Sequence, residues 1–113
     1  MLSFHDNPTV EKWAHDQLAG DVYALTLVGG SRLHCDTAES TTILELHITD
    51  TIHSEALIRT VLRKRFDNAQ SFARVSAQRA NSGSWKLVCV EGEDAHPEVV
   101  IGLYDTLKKL VLD

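Results

Sequence analysis

Residues Ser54–Phe66 read Ser-Glu-Ala-Leu-Ile-Arg-Thr-Val-Leu-Arg-Lys-Arg-Phe, which is the pattern of a helix. Ser54 can cap its N-terminus, and Glu55 places an acidic side chain in the first turn, where the helix dipole favours it. The apolar side chains cover about half of the helix circumference, whereas one packed surface needs a stripe of roughly 100°. These side chains are Leu57, Ile58, Val61, Leu62 and Phe66. The helix is therefore expected to contact two surfaces.

The second surface has two explanations. Isologous two-fold dimers are the commonest protein assemblies, so the helix can pack against its own copy in a second chain. Alternatively, the helix is buried deeply within a monomer. The sequence by itself favours neither explanation over the other.

The composition limits the class of protein. The chain has 113 residues, enough for a modest core, and we expect residues 1–113 to form a single domain. The net charge of -5 argues against non-specific nucleic-acid binding, because that needs a basic surface. No apolar run approaches the roughly 20 residues of a membrane span. The N-terminus lacks the basic and apolar regions of a signal peptide, so the expected location is the cytoplasm.

Ahead of the Ser54–Phe66 helix, the sequence predicts one helix and three strands. Asn7 followed by Pro8 is a helix start, with an N-cap and a proline in the first turn, and Gly20 closes the element. From Asp21 onward the residues favour strands. The predicted strands are Val22–Val28, Ser31–Asp36 and Thr41–Ile48, of which the first two are joined by a Gly29-Gly30 turn. Three consecutive strands are expected to form an antiparallel meander.

After this helix, the sequence predicts a second hairpin and a final helix. The hairpin strands are Ser71–Arg79 and Trp85–Val90. Residues Pro97–Leu112 keep the 3.6-residue apolar period of a helix. The order α-β-β-β-α-β-β-α predicts an α+β fold in which helices flank a twisted antiparallel sheet.

The sequence shows no catalytic or metal-binding signature. Cys35 and Cys89 fall inside predicted strands, which favours free buried thiols over a disulfide or a zinc site. The six histidines lack the short spacings of metal ligands. Glu45 and His47 could act as a base and its orienting group, but such i,i+2 pairs on a strand more often form a solvated row, and no nucleophile accompanies them. We therefore expect no metal, no cofactor and no enzymatic activity.

The order of elements, with the small size, the acidity and the broad apolar second helix, resembles the class I chaperones of bacterial type III secretion. These are small dimeric proteins that escort one or a few effectors. The local patterns behind the resemblance are the helix at Val10–Leu18, the hairpin at Leu25–Asp36, the Ala56–Phe66 helix with the hairpin after it, and the helix at Pro97–Leu112. One departure lies at Val90, which runs into Glu91-Gly92 where many family members carry a Leu-Pro pair.

The resemblance implies a cytoplasmic homodimer that binds an extended N-terminal segment of a secreted effector, keeps it soluble and competent for secretion, and catalyses nothing. It implies a dimer contact on the second helix and the following strand, at Leu57, Ile58, Val61, Leu62, Phe66, Ala73 and Val75. It also implies grooves for apolar effector side chains, lined by Trp13, Leu18, Leu25, Leu27 and Leu33. Taken without the resemblance, a tryptophan such as Trp13 is more often a core residue.

Two further interpretations stay open. From Thr41 onward the order βαββα also resembles half of a ferredoxin-like regulatory domain that binds a small ligand. Such a domain needs a final strand, for which only Leu110–Asp113 would be left. The third interpretation is a small enzyme whose motifs are not recognisable.

Overall fold

The computed structural model describes residues 6–20, 24–27, 31–38, 40–48, 54–70, 72, 74–79, 84–94 and 96–112 of the chain. Within these residues the helices are α1 (Asn7–Leu18), α2 (Ser54–Asp67) and α3 (Pro97–Leu112). The strands are β1 (Leu25–Thr26), β2 (Arg32–Ala38), β3 (Thr41–Ile48), β4 (Val75–Arg79) and β5 (Trp85–Glu91). The predicted order of elements and the α+β class are confirmed.

The five strands form one antiparallel sheet in the order β1-β2-β3-β5-β4. The first three strands form the predicted meander, and β4 pairs with β5 as the predicted second hairpin. The fifth strand in the chain lies between β3 and β4, so β3 is the centre of the sheet. The two edge strands are β1 and β4.

The first helix and the first strand differ from their predicted bounds. Asp6, rather than Asn7, caps α1, because the backbone of Asp6 is extended and its Oδ1 accepts a hydrogen bond from the Thr9 amide at 3.1 Å. Asn7 is already helical. β1 covers only Leu25–Thr26, which is shorter than the predicted strand. The predicted Gly29-Gly30 turn lies outside the described residues.

The bounds around α2 also shift. The predicted cap, Ser54, is the first residue of the helix itself. β4 begins at Val75 instead of Ser71, because turns follow α2 before the strand starts. In these turns the Phe72 amide donates to the Asn68 carbonyl at 3.1 Å, and the Val75 amide donates to the Phe72 carbonyl at 3.1 Å.

One face of the sheet, which we call the inner face, forms the hydrophobic core with the helices. Because side chains alternate along a strand, the register brings one apolar set side by side. Leu33 lies opposite Leu46, and Leu46 lies opposite Leu87. The buried core residues are Val10, Trp13, Ala14, Leu27, Leu33, Leu44, Leu46, Ile48, Ile58, Val61, Val75, Leu87, Cys89, Val100, Leu103, Tyr104, Leu107 and Leu110.

The helices and the sheet form two layers. α3 packs against α1, α2, β3 and β5, and all three helices contribute side chains to the core. The residues on the opposite side of the strands, which we call the outer face, do not belong to this core; Val88 is an example. Antiparallel sheets commonly leave one face uncovered in this way.

The last helix bears on the ferredoxin-like interpretation. α3 is 16 residues long and continues to Leu112, so the described residues do not form the final strand that such a domain requires. The N-terminal strands β1 and β2 also belong to the same sheet as the later strands. Among the described helices, α3 included, none combines the length and the apolar character needed to cross a membrane.

Candidate partner-binding surfaces

The wide apolar arc of α2 is divided between the core and the solvent. Ile58 and Val61 point into the core and are 2% and 1% exposed, and Leu57 is half-buried against it. Leu62 is 45% exposed and Phe66 is 86% exposed. The apolar arc of α2 is therefore buried on one side and open to solvent at Leu62 and Phe66.

The last turn of α2 is joined to edge strand β4. The Arg65 guanidinium Nε donates to the Val75 carbonyl at 2.6 Å. Val75 itself is buried in the core, and Ala77 of the same strand is half-buried against it. The exposed end of α2 is therefore held next to the start of a strand that pairs on one side only.

The residues predicted for the dimer contact fall into two groups. Ile58, Val61 and Val75 are buried within the single chain, whereas Leu62 and Phe66 are exposed. Leu57 is half-buried, and Ala73 lies outside the described residues. Of the described residues in this set, Leu62 and Phe66 are the ones open to solvent, and the buried residues hold the helix against the core.

The residues predicted to line the effector grooves lie mostly in the core. Trp13, Leu27 and Leu33 are buried, and Leu25 is half-buried against them. Leu18, at the C-terminal end of α1, is half-buried. A partner would therefore reach this region first at Leu18 and at Leu25 on edge strand β1.

A groove lies between the end of β5 and the first turns of α3, and the sequence did not predict it. Two adjoining cavities, of about 310 and 210 Å³, share Glu91, Leu103 and Thr106. Glu93 and Glu98 line the larger cavity. The acidic residues before α3 are visible in the sequence. The sequence does not show, however, that Glu98 of the helix faces the same groove.

The outer face carries a polar cluster of titratable side chains. The Lys86 Nζ donates to Glu45 Oε1 at 2.9 Å, and His47 Nε2 lies 3.7 Å from Glu45 Oε2. The rings of His34 and His47 have centroids 4.3 Å apart. Glu45 and His47 do not form the predicted solvated row, because both are half-buried and Glu45 is joined to β5 through Lys86.

The charge of Glu45 is stabilised by this cluster. Burial alone would raise the pKa of Glu45, but the hydrogen bond from Lys86, the positive charge of Lys86 and the neighbouring His47 outweigh it. The net effect lowers the pKa of Glu45 below its ordinary value. The carboxylate is therefore held as a hydrogen-bond acceptor rather than as a proton donor.

Both cysteines are free, and their surroundings disfavour the thiolate form. Burial raises the pKa of the Cys35 thiol to about 11, with a smaller contribution from Asp36, and burial raises the pKa of the Cys89 thiol to about 11. Both lie opposite Leu44, one on each side, which separates them by two strand spacings of about 4.8 Å each and is too far for a disulfide. In the part of the chain that the structure describes, no three His, Cys, Asp or Glu side chains are grouped so that they could hold a metal ion.

Comparison with protein-family models, with curated proteins and with solved structures finds no match to this chain. The function is therefore argued from the surfaces described above.

Proposed function

We propose that this chain is a non-catalytic chaperone of the type III secretion class. It acts as a homodimer and binds an extended N-terminal segment of an effector, which it keeps soluble and competent for secretion. The observation that carries the proposal is the exposed apolar end of α2 beside edge strand β4, within an α-β-β-β-α-β-β-α chain.

The dimer half of the proposal follows from the division of α2. Leu62 and Phe66 expose apolar surface that costs free energy in water. In a two-fold dimer the same patch of both chains is buried, so the contact would remove two leucine and two phenylalanine side chains from water. A stable interface needs about 800 Å² from each partner, so edge strand β4 would contribute to it along with α2.

The effector half follows from the opposite edge of the sheet. β1 is a two-residue strand at one edge of the sheet. Half-buried Leu25 on this strand and Leu18 on α1 leave part of their apolar surface open. An extended segment can add to a sheet edge by backbone hydrogen bonds, while shallow apolar contacts select its side chains. Binding of this kind needs no nucleophile and no cofactor.

The dimer is tested by light scattering after size exclusion at micromolar concentration. The wild-type chain is expected at twice 12.6 kDa. Leu62→Asp and Phe66→Asp should each weaken the dimer at least about a hundredfold, since burying an unpaired charge costs several kcal/mol. Both residues are exposed in the single chain, so the monomeric variants should keep the wild-type circular dichroism.

The matched control is Thr60→Asp, which adds the same charge at an exposed position on the other side of α2. It should leave the dimer unchanged. A wild-type mass of 12.6 kDa, or dimers of equal affinity for all three variants, would refute the dimer proposal.

Effector binding is tested by co-expression with the products of neighbouring genes, followed by copurification. A stoichiometric partner whose bound region is protected from protease, yet has no fold of its own, is the expected result. Leu18→Asp and Leu25→Asp should reduce its recovery, whereas Thr60→Asp should not. Recovery of a bound metabolite without any protein partner would instead support the ferredoxin-like regulatory domain.

A further inference from the structure

The titratable groups of the outer face lie on three neighbouring strands. The antiparallel register places His47 of β3 between Arg32 of β2 and Lys86 of β5. It also places His34 of β2 directly opposite Glu45 of β3. The outer-face cluster consists of Arg32, His34, Asp36, Glu45, His47 and Lys86. In the described residues, β4 adds only Ser76 and Gln78 to this face, and neither is charged.

The charge of this cluster depends on its two imidazoles. With both histidines neutral, two cations and two carboxylates balance, because Arg32 and Lys86 offset Asp36 and Glu45. Protonation of both histidines would therefore give the cluster an excess of two positive charges. Like charges directly opposite each other on adjacent strands destabilise their pairing.

The two histidines share a single nearby carboxylate, Glu45, which lies opposite His34 and beside His47. One oxygen of Glu45 is already occupied by Lys86, at 2.9 Å. The other oxygen lies 3.7 Å from His47 Nε2, beyond hydrogen-bond distance, and that nitrogen is buried without a hydrogen-bond partner. The ring of His34 lies against the ring of His47. A second proton would therefore place two imidazolium rings in contact.

On the outer face, different side-chain contacts join β3 to its two neighbours, β2 and β5. The His34–His47 ring contact crosses from β2 to β3, whereas the Lys86–Glu45 hydrogen bond crosses from β3 to β5. Acid acts on the first contact before the second. The pKa of Glu45 is lowered, so its ion pair keeps its charge until the pH falls below the ordinary range of a carboxyl group.

Proton binding at His34 opposes folding. Burial lowers the pKa of His34 from its ordinary value of 6.5, and His47, Arg32 and Lys86 lower it further, against the opposing effect of Glu45. The unfolded chain therefore binds a proton at this position more readily than the folded chain does. The stability that the neutral imidazole contributes is complete above about pH 6.5 and is lost as the pH falls through the lowered pKa.

The helices support β2 less than they support the strands on the other side of β3. β1 pairs with only Arg32 and Leu33 of β2. α3 packs against β3 and β5, and α2 packs against β4. None of the larger helix–strand contacts among the described residues involves β2. When the contact between β2 and β3 weakens, β2 is therefore held by β1 and by the burial of Leu33, without a helix packed along it.

We propose that His34 and His47 make the β2–β3 pairing acid-labile, so that protonation of their imidazoles detaches β2 while β3, β5 and β4 stay paired. Among the described strands, β1 is paired with β2, so it leaves the sheet with it. A segment bound to the edge of β1 would then be released by acid; this consequence rests on the proposed function, whereas the detachment of β2 does not.

The test is hydrogen–deuterium exchange of the chain alone, at about pH 7.5 and about pH 5, corrected for the intrinsic exchange rate. β4 is the internal reference. Among the described residues it pairs along its length with one strand, β5, just as β2 pairs along its length with one strand, β3. On acidification, protection of β2 should fall about five- to tenfold more than protection of β4. A change of this size is what two or three pairs of like charges on neighbouring strands would cause.

The variants identify the groups responsible. His34→Gln with His47→Gln should abolish the difference between β2 and β4, and His15→Gln, an exposed histidine on α1, should leave it unchanged. If the double variant does not fold, His34→Gln alone should reduce the difference. In the wild type, the imidazole NMR signal of His34 should then titrate together with the loss of the β2 amide signals. Equal loss of protection in β2 and β4, or a difference that survives the histidine substitutions, would overturn the proposal.

Discussion

The inner and outer faces of the sheet are built from alternate residues of the same strands, yet they differ in character. On β3, Leu44 and Leu46 point into an apolar core with the helices, whereas Glu45 and His47 form a half-buried polar cluster. The inner face derives its stability from apolar burial, which is insensitive to pH. The outer face depends on charge, and its contribution changes with pH and salt.

The largest expected effect is the loss of stability when an apolar side chain is shortened, which should differ between the two faces. Leu46→Ala on the inner face should lower the free energy of unfolding by about 2 to 5 kcal/mol, because it leaves a cavity in a fully buried site. Ile43→Ala, on the outer face of the same strand and half-buried, should cost about 1 kcal/mol. Chemical denaturation of both variants measures the difference. Similar costs would show that a partner covers the outer face and that the two faces are not distinct.

A second, smaller effect is the loss of stability when a hydroxyl replaces a thiol on the inner face. Cys89→Ser should cost about 1 to 3 kcal/mol, since it places a hydroxyl in a buried apolar site. Cys35→Ser, at a half-buried site nearer the edge of the sheet, should cost less. In the native protein both thiols should react slowly with a thiol reagent at about pH 8, because their pKa is raised. A sharp fall in melting temperature on adding a chelator would contradict the description of these residues as free thiols.

The smallest expected effect measures the ion pair of the outer face. A double-mutant cycle with Glu45→Gln and Lys86→Met should give a coupling energy of about 0.5 to 1 kcal/mol, which salt should reduce. The more exposed pair of Arg74 and Glu91 is the control, and its coupling should be closer to zero. Equal coupling in the two pairs would show that partial burial on the outer face adds nothing.

Local pattern was sufficient to predict which segments form helices and strands. The 3.6-residue period of Pro97–Leu112 and the strand at Thr41–Ile48 are both present with the predicted bounds. The errors lie at element ends. The cap of α1 is Asp6, and β4 begins at Val75. Caps and turns depend on single side-chain hydrogen bonds, which periodicity does not report.

The candidate site was less predictable, because apolar residues look alike in sequence whether they form the core or a binding surface. Trp13 and Leu33 were assigned to an effector groove by resemblance, and the structure places both in the core. The same uncertainty applied to α2. Its wide apolar arc was visible in the sequence, but the sequence did not show which apolar residues face the core and which face solvent. Only the packing of α2 showed that Val61 faces inward and Phe66 faces solvent.

The sequence by itself determined the order of elements, the alternation of each strand and the excess apolar width of α2, because these follow from residues close together along the chain. The tertiary structure alone decided that the meander and the second hairpin join through β3 and β5. By placing β5 between β3 and β4, it brought Lys86 to Glu45 across 41 residues of sequence and positioned α2 beside an edge strand. Such pairings depend on how the whole apolar surface is buried at once, and no local pattern contains that information.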